Sequence, residues 1–287
     1  MAETNCKLEL AADLPVSWVA GDPVVTVKIV GQPVRMVLDT GSDSSYLSED
    51  IYNRLNLHNL VTTTGMYVDI LGGTEQISAA TMQDITFGAV TMHGQVLALL
   101  SRLAPGPNGK PLVDGIMGYD MLSSFDIAFD MGHNNVQLFS LEHCDTAQFP
   151  WTGQYAQVTL EHRGGLAPAL TVQVDGQPVQ IELDSGAGQS LVSGPALIAA
   201  GVKPEAVAKA SQGSDMAGHG FNLTNEQFST YTVGAEEFSD MWLQVDQTPQ
   251  KNPDVPLTGL LGEDYLTTHK VFVSNSTETL LLGISEQ

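Results

Sequence analysis

Residues 37–42 read Val-Leu-Asp-Thr-Gly-Ser, and residues 182–187 read Glu-Leu-Asp-Ser-Gly-Ala. Each stretch places one aspartate, Asp39 or Asp184, directly after an apolar segment. The sequence Gly-Gln-Pro-Val begins eight residues before each aspartate, at Gly31 and Gly176, and the offset is the same, 184 − 39 = 145 and 176 − 31 = 145. A lone Asp-Thr-Gly is a weak signal, because turns after strands use the same residue types. Two copies in matched surroundings indicate an internal duplication.

A second pair of matching segments follows the two aspartates. Residues 114–120 read Asp-Gly-Ile-Met-Gly-Tyr-Asp and residues 258–264 read Thr-Gly-Leu-Leu-Gly-Glu-Asp. They end in Asp120 and Asp264, with an offset of 264 − 120 = 144. We therefore predict a duplicated structural unit, with a first half over residues 1–148 and a second half over residues 149–287.

These paired motifs resemble those of the aspartic protease superfamily, and the Gly-x-Asp endings resemble its retropepsin-like branch, including the bacterial members. The resemblance covers nearly the whole chain, and both copies sit in one polypeptide, as in pepsins. It implies an all-β fold of two pseudo-symmetric β-barrel halves with short helices and an active site between the halves. It also implies that one chain acts as a monomer, an intramolecular pseudo-dimer.

The resemblance implies that Asp39 and Asp184 are catalytic. Peptide hydrolysis needs a base that activates water and an acid that protonates the leaving nitrogen, and two facing carboxyl groups can do both. The hydroxyls of Thr40 and Ser185 are expected to reach across the pseudo-two-fold axis and lock the two loops together. The supporting loop residues implied by the family are Thr40, Gly41, Ser42, Ser185, Gly186 and Ala187.

The two copies differ beside the aspartates. Ser42 can donate a hydrogen bond to Asp39, whereas Ala187 cannot do so for Asp184. We therefore expect Asp39 to be the more ionised partner. The arginine that precedes the Gly-x-Asp aspartate in retroviral proteases is replaced by Tyr119 and Glu263. This difference argues against dimerisation of the retroviral kind.

Gly-rich segments occupy the positions of the family's flaps, which close over substrate. The first flap is expected at about residues 66–75 and the second at about residues 213–221, and an ordinary surface hairpin is the alternative. Candidate flap and substrate-binding residues are Tyr67, Ile70, Gly72, Gly73, Met216, Gly218 and His219.

Local patterns predict the elements around the motifs. Alternating apolar residues predict a hairpin before each aspartate. Ser48 is expected to cap a helix over Glu49 to Leu55, and Ser193 is expected to cap a second helix that ends at Gly201. The segment from Cys144 to Gly153 is the predicted linker between the halves.

Composition narrows the classes of partner. Lys and Arg total 11 and Asp and Glu total 33, which gives a net charge of −22 and argues against nucleic acid. No apolar run approaches the ~18 residues of a membrane span.

Cys6 and Cys144 are either bridged or free, and a bridge would favour an oxidising location. A periplasmic or secreted location with a removed signal peptide is therefore favoured, and a cytoplasmic one stays open.

Other hydrolytic chemistries lack their motifs. The seven histidines form no His-Glu-x-x-His pattern, so no metal is predicted, and there is no Gly-x-Ser-x-Gly. No cofactor is implied. The sequence therefore predicts a single-chain aspartic endopeptidase that acts on a peptide or protein substrate. The alternative is a catalytically silent peptide-binding or scaffold protein on the same fold.

Overall fold

The computed structural model describes most of the chain. The residues described are 7–58, 60–61, 67–70, 73–76, 78–100, 103, 111–142, 144–162, 167–202, 207–214, 220–247 and 259–284.

The first half is built mainly from strands. They are β1 (Lys7–Pro15), β2 (Ser17–Val19), β3 (Asp22–Ile29), β4 (Gln32–Leu38), β5 (Tyr46–Ser48), β6 (Leu60–Val61), β7 (Tyr67–Ile70), β8 (Gly73–Gln76), β9 (Ser78–Phe87), β10 (Val90–Leu100), β11 (Gly115–Met117), β12 (Asp126–Asp130) and β13 (Asn135–Glu142). Its helices are α1 (Glu49–Arg54) and α2 (Tyr119–Leu122), with a 3-10 turn at Met131–His133.

The second half repeats this order. Its strands are β14 (Tyr155–Thr159), β15 (Glu161–His162), β16 (Pro168–Val174), β17 (Gln177–Leu183), β18 (Leu191–Ser193), β19 (Val207–Ser214), β20 (Gly220–Val233), β21 (Glu236–Asp246), β22 (Gly259–Leu261), β23 (Val271–Ser274) and β24 (Thr279–Gly283). Its helices are α3 (Gly194–Ala200) and α4 (Glu263–Leu266).

Each half closes into a β-barrel. In the first half the strand order is β2-β3-β4-β11-β5-β10-β9-β6, and a further pairing of β3 with β9 closes the ring. In the second half the order is β15-β16-β17-β22-β18-β21-β20-β19, closed by β16 with β20. The same connections therefore recur in both halves, which confirms the predicted all-β fold of two pseudo-symmetric barrels.

A third sheet joins the two halves, with the strand order β1-β13-β12-β23-β24-β14. At its centre β12 of the first half pairs antiparallel with β23 of the second, and Ala128 lies opposite Phe272. These two residues are equivalent in the duplication, since 272 − 128 = 144. An antiparallel pair of equivalent residues marks the pseudo-two-fold axis that relates the barrels.

The sequence explains the local structure of the barrels. Val34, Met36 and Leu38 alternate along β4 and are all buried in the main core. The α1 helix begins as predicted, because the Ser48 hydroxyl accepts a hydrogen bond from the Ile51 N–H at 3.3 Å. The predicted cap of α3 is also present, with the Ser193 hydroxyl accepting from the backbone of the first turn.

Three further sequence predictions concern residues that the structure describes at least in part. Cys144 is a disulfide cysteine, and the chain's other cysteine, Cys6, lies outside the described residues. In the first flap region β7 and β8 form a two-stranded hairpin, in which Ile70 lies opposite Gly73. Among the described helices, none is both long and apolar enough to span a membrane.

Candidate active site

The two aspartates occupy equivalent positions at the ends of β4 and β17. The backbone N–H of Asp39 donates to the Met117 carbonyl at 3.0 Å, at the end of β11. The N–H of Asp184 donates to the Leu261 carbonyl at 3.0 Å, at the end of β22. Each aspartate loop is therefore held to the strand that carries the second sequence motif.

The two loops approach so closely that each carboxyl group lies against the opposite glycine. A Cβ atom on Gly41 would lie 2.4 Å from Cγ of Asp184, and one on Gly186 would lie 2.6 Å from Cγ of Asp39. The two carboxyl groups also hydrogen-bond to each other. Only glycine fits at these two positions, because a side chain would occupy the space of the opposing carboxyl group.

The residues after the aspartates interlock the two halves. The Thr40 hydroxyl donates to the Leu183 carbonyl at 2.6 Å, and the Ser185 hydroxyl donates to the Leu38 carbonyl at 2.8 Å. Each hydroxyl also accepts a backbone N–H from the opposite loop, at 3.0 Å from Ser185 and 3.1 Å from Thr40. Both side chains are fully buried, so these four hydrogen bonds fix the separation of the loops without competition from water.

Burial and mutual repulsion set the charge of the pair. Burial raises the pKa of Asp39 well above its usual range, and the neighbouring Asp184 charge raises it further. Burial also raises the pKa of Asp184, but backbone N–H groups, including that of Gly186 at 2.8 Å, and the hydrogen bond from Asp39 offset part of this effect. Both pKa values are raised, so the buried pair favours a state that keeps one proton, and it titrates as a unit.

Ser42 does not make the contact that the sequence suggested. Its hydroxyl donates to the Ser44 carbonyl at 2.9 Å, and only its backbone N–H, at 3.0 Å, reaches Asp39. The predicted side-chain hydrogen bond from Ser42 to the carboxylate is therefore not formed, and the expectation that Asp39 is the more ionised partner loses this support. The sequence could not show which neighbour the hydroxyl would choose.

A serine that the sequence analysis missed supports the first aspartate loop. The Ser45 hydroxyl donates to Asp120 at 2.6 Å and accepts the Gly118 N–H at 2.9 Å, while the Ser45 N–H donates to the same carboxylate at 3.0 Å. The aspartate that ends the Gly-x-Asp motif thus holds the loop that follows Asp39.

The second half repeats this arrangement with Ser190 and Asp264. The Ser190 hydroxyl donates to Asp264 at 2.6 Å and accepts the Gly262 N–H at 3.0 Å. The signal was present in the sequence, because the offset 190 − 45 = 145 equals that of the catalytic candidates.

The glycines of the second motif are required by close approach. A Cβ on Gly118 would lie 2.5 Å from the Ser44 carbonyl oxygen, and one on Gly262 would lie 2.5 Å from that of Ala187. Both distances are well inside van der Waals contact, so the motif passes beside the aspartate loop only because the side chain is absent.

The two halves differ at the residue that precedes Asp120 in the first half and Asp264 in the second. Tyr119 is fully buried and its hydroxyl hydrogen-bonds Asn275 of the second half. Glu263 is 7% exposed, and its Oε1 has no hydrogen-bond partner among the described residues. Burial, followed by the charges of Asp22, Asp184 and Asp264, raises the pKa of Glu263 to about 8.

The remaining candidates concern the flaps. Tyr67, Ile70 and Gly73 belong to the β7–β8 hairpin. Four others, Gly72, Met216, Gly218 and His219, lie outside the described residues. No group of three or more His, Cys, Asp or Glu residues suited to a metal ion occurs in the described part of the chain.

Comparison with known proteins agrees with this geometry. Residues 25–121, which contain Asp39 and the first Gly-x-Asp motif, match the family model described as aspartyl protease. The crystal structure of the aspartic proteinase from Irpex lacteus superposes with a TM-score of 0.57 at 14% identity, over 96% of this chain and 97% of that one. The chain has the aspartic proteinase fold. No curated protein sequence matches it. The fold implied by the paired motifs is thereby confirmed, and the aspartic proteinase fold accounts for both barrels and the central sheet.

Proposed function

We propose that the chain is a single-chain aspartic endopeptidase that hydrolyses peptide bonds through a water molecule activated by Asp39 and Asp184. One observation carries this proposal: the two carboxyl groups hydrogen-bond to each other at the meeting point of two interlocked, equivalent loops. A pair that shares one proton supplies a base and an acid at the same place.

The first step adds water to the scissile carbonyl. Asp184, whose charge is stabilised by backbone N–H groups, takes a proton from the water as its oxygen bonds to the carbonyl carbon. Protonated Asp39 donates its proton to the carbonyl oxygen. The product is a neutral tetrahedral diol, and the negative charge has moved from Asp184 to Asp39.

The second step breaks the carbon–nitrogen bond. Asp184 now carries a proton and gives it to the leaving nitrogen, while Asp39 takes a proton back from one hydroxyl of the diol. The products are a carboxylic acid and an amine, and the pair returns to its starting state. No cofactor or metal takes part in this proposal.

Substrate binding is proposed by analogy with the flaps of the family. We propose that an extended peptide lies between the aspartate loops and the β7–β8 hairpin, as an added strand would. Tyr67, Ile70, Gly72, Gly73, Met216, Gly218 and His219 remain the proposed flap residues. Since one chain supplies both carboxyl groups, a monomer suffices, and specific activity should not change on dilution.

The test is the cleavage of an unfolded protein, such as casein, between about pH 3 and about pH 7. We expect a bell-shaped rate profile on the acidic side of neutral, because one carboxyl must be ionised and the other protonated. Asp39→Asn and Asp184→Asn should each lower turnover by about a thousandfold or more, since each removes one partner of the shared proton.

A matched control is Asp240→Asn, because Asp240 is exposed and its positive φ of 53° suits asparagine. This variant should keep full activity. If either dyad variant retained substantial activity, the shared-proton mechanism would be wrong. Peptide binding by the folded wild type with no cleavage at any pH would identify the alternative, a silent peptide-binding protein.

A further inference from the structure

The strand that leads to each aspartate carries one residue on the same face as the carboxyl group. Side chains two positions apart on a strand share a face, so Val37 accompanies Asp39 and Glu182 accompanies Asp184. The intervening residues, Leu38 and Leu183, point into the barrel core. Val37 and Glu182 therefore belong to the outer wall of each barrel, about 7 Å along the strand from the aspartate.

In the first half the wall around Val37 is apolar. The strand register places Val24 and Ile116 beside Val37, Tyr46 beside Ile116, and Ala98 beside Tyr46. We call these five residues the first-half row. All five are buried, and with Leu103 and Val113 they form a hydrophobic cluster separate from the main core.

The first-half row is close to the carboxyl pair. Burial, followed by the charges of Asp120, Asp39 and Asp43, raises the pKa of the Tyr46 phenol to about 12, so Tyr46 lies within electrostatic range of Asp39. The first-half row is therefore a closed apolar surface near the first aspartate.

The equivalent wall of the second half is polar and more open. Its register places Ala169 and Leu260 beside Glu182, Leu191 beside Leu260, and Gln244 beside Leu191. We call these five residues the second-half row. Four of them are half-buried and only Ala169 is fully buried.

Polar groups replace apolar ones at two places in this row. Glu182 stands where the first half has Val37, and Gln244 stands where it has Ala98. The Gln244 amide donates to Gln189 at 2.5 Å, which extends the polar surface. Glu182 has interactions within the protein as well, and its charge belongs to the wall beside Asp184.

We propose that Glu182 determines specificity, so that the cleft favours peptides with lysine or arginine on the side of the scissile bond that meets the second-half row. The proposal rests on the proposed endopeptidase function. A peptide that crosses the pseudo-two-fold axis presents one flanking side chain to the second-half row. An apolar side chain against Glu182 leaves the carboxylate poorly solvated, whereas a long cation packs its stem on Leu260 or Leu191 and brings its charge to the acid.

The experiment uses a set of peptides that differ only in the residues flanking the scissile bond, one apolar and the other lysine, glutamine or leucine, in both orders. Cleavage is measured as kcat/KM at about pH 6, above the ordinary carboxyl range. Binding of the same peptides to the Asp39→Asn protein is measured in parallel by fluorescence anisotropy, so that a preference is detected even without turnover.

We expect wild type to favour lysine over leucine by about tenfold or more in one of the two orders. Glu182→Gln should abolish the preference for lysine over glutamine, and Glu182→Val should reverse the preference toward leucine. The control Glu237→Gln removes the same charge from an exposed position at the far end of β21 and should leave the preference unchanged.

The outcomes separate this inference from the proposed function. Cleavage with no preference for lysine, or a preference that survives in Glu182→Gln, would overturn the role of Glu182 while the endopeptidase stands. Lysine-dependent binding to the Asp39→Asn protein, with no cleavage by wild type, would support the role of Glu182 and refute the endopeptidase. Failure of every peptide to bind would overturn the inference.

Discussion

The two barrels are alike where they hold the carboxyl groups and different where they surround them. Thr40 and Ser185 form the same pair of crossed hydrogen bonds, and Gly41 and Gly186 allow the same close approach. In contrast, Ser42 corresponds to Ala187 in the duplicated sequence, Tyr119 corresponds to Glu263, and Val37 corresponds to Glu182.

This comparison shows that the position of the carboxyl groups and the environment of each carboxyl group are constrained separately in a duplicated chain. The position of the carboxyl groups depends on backbone approach and buried hydrogen bonds, which tolerate few residue types. The environment of each carboxyl depends on nearby charge and polarity, which can differ between halves without moving the loops. A symmetric frame can therefore hold an asymmetric site, and the variants below test how far each demand extends.

The largest effect is expected from the shared frame. In Gly41→Ala or Gly186→Ala the new Cβ would meet the opposing carboxyl group at 2.4 or 2.6 Å, so the two aspartates must move apart. We expect each variant to lose activity by about a hundredfold or more, because misplacement of about 1 Å has that cost.

The equivalence of the halves is tested by comparing the two glycine variants. Circular dichroism and thermal unfolding check that each is folded, and Gly188→Ala is the control, since a Cβ there meets nothing within 4 Å. A large loss in one variant and none in the other would show that only one loop constrains the pair.

The arrangement that holds the two carboxyl groups could be predicted from the sequence because its motifs occur twice in the chain. The paired Asp-Thr-Gly and Asp-Ser-Gly motifs located the carboxyl groups, and their hydroxyls cross as expected. The antiparallel contact of Ala128 with Phe272 lacked such a signal, since alternation along a strand does not identify which strand it pairs with.

Single-copy features were less predictable. Ser42 has several acceptors within reach, and the choice of the Ser44 carbonyl depends on the loop conformation. The environment of Glu263 depends on Asp22, a residue of the other half, so no local pattern indicates its raised pKa.

An intermediate effect is expected from Glu263, which breaks the equivalence with Tyr119. Its pKa is about 8 in the folded protein against 4.5 for an ordinary glutamate, so the folded state binds more protons between these values. The free energy of unfolding should therefore be highest below about pH 4.5 and should fall as the pH rises toward about 8.

The variant Glu263→Gln keeps the neutral form at every pH. Its free energy of unfolding at about pH 8 should exceed that of wild type by on the order of 1–3 kcal/mol, measured by urea titration across the pH range. The exposed control Glu237→Gln should follow wild type. An unchanged pH slope in Glu263→Gln would mean that this carboxyl ionises normally in the fold.

The smallest effect is expected from Ser42→Ala, which makes the first loop resemble the second. Because the hydroxyl contacts the Ser44 carbonyl and only the backbone N–H contacts Asp39, the carboxyl pair keeps its hydrogen bonds. We expect kcat to fall by less than about tenfold and the acidic limb of the pH profile to stay within about half a unit of wild type. A shift of a full pH unit would mean that the Ser42 hydroxyl contacts the Asp39 carboxyl directly, contrary to the structure.

The central claim is that the two carboxyl groups act together on one reacting centre. It is tested most directly by a crystal structure with a peptide analogue whose scissile amide is replaced by a hydroxyl-bearing carbon, which mimics the tetrahedral intermediate. We expect the hydroxyl to lie within about 2.5–3.0 Å of both Asp39 and Asp184. A hydroxyl bound to one carboxyl alone, or an analogue bound away from both loops, would contradict it.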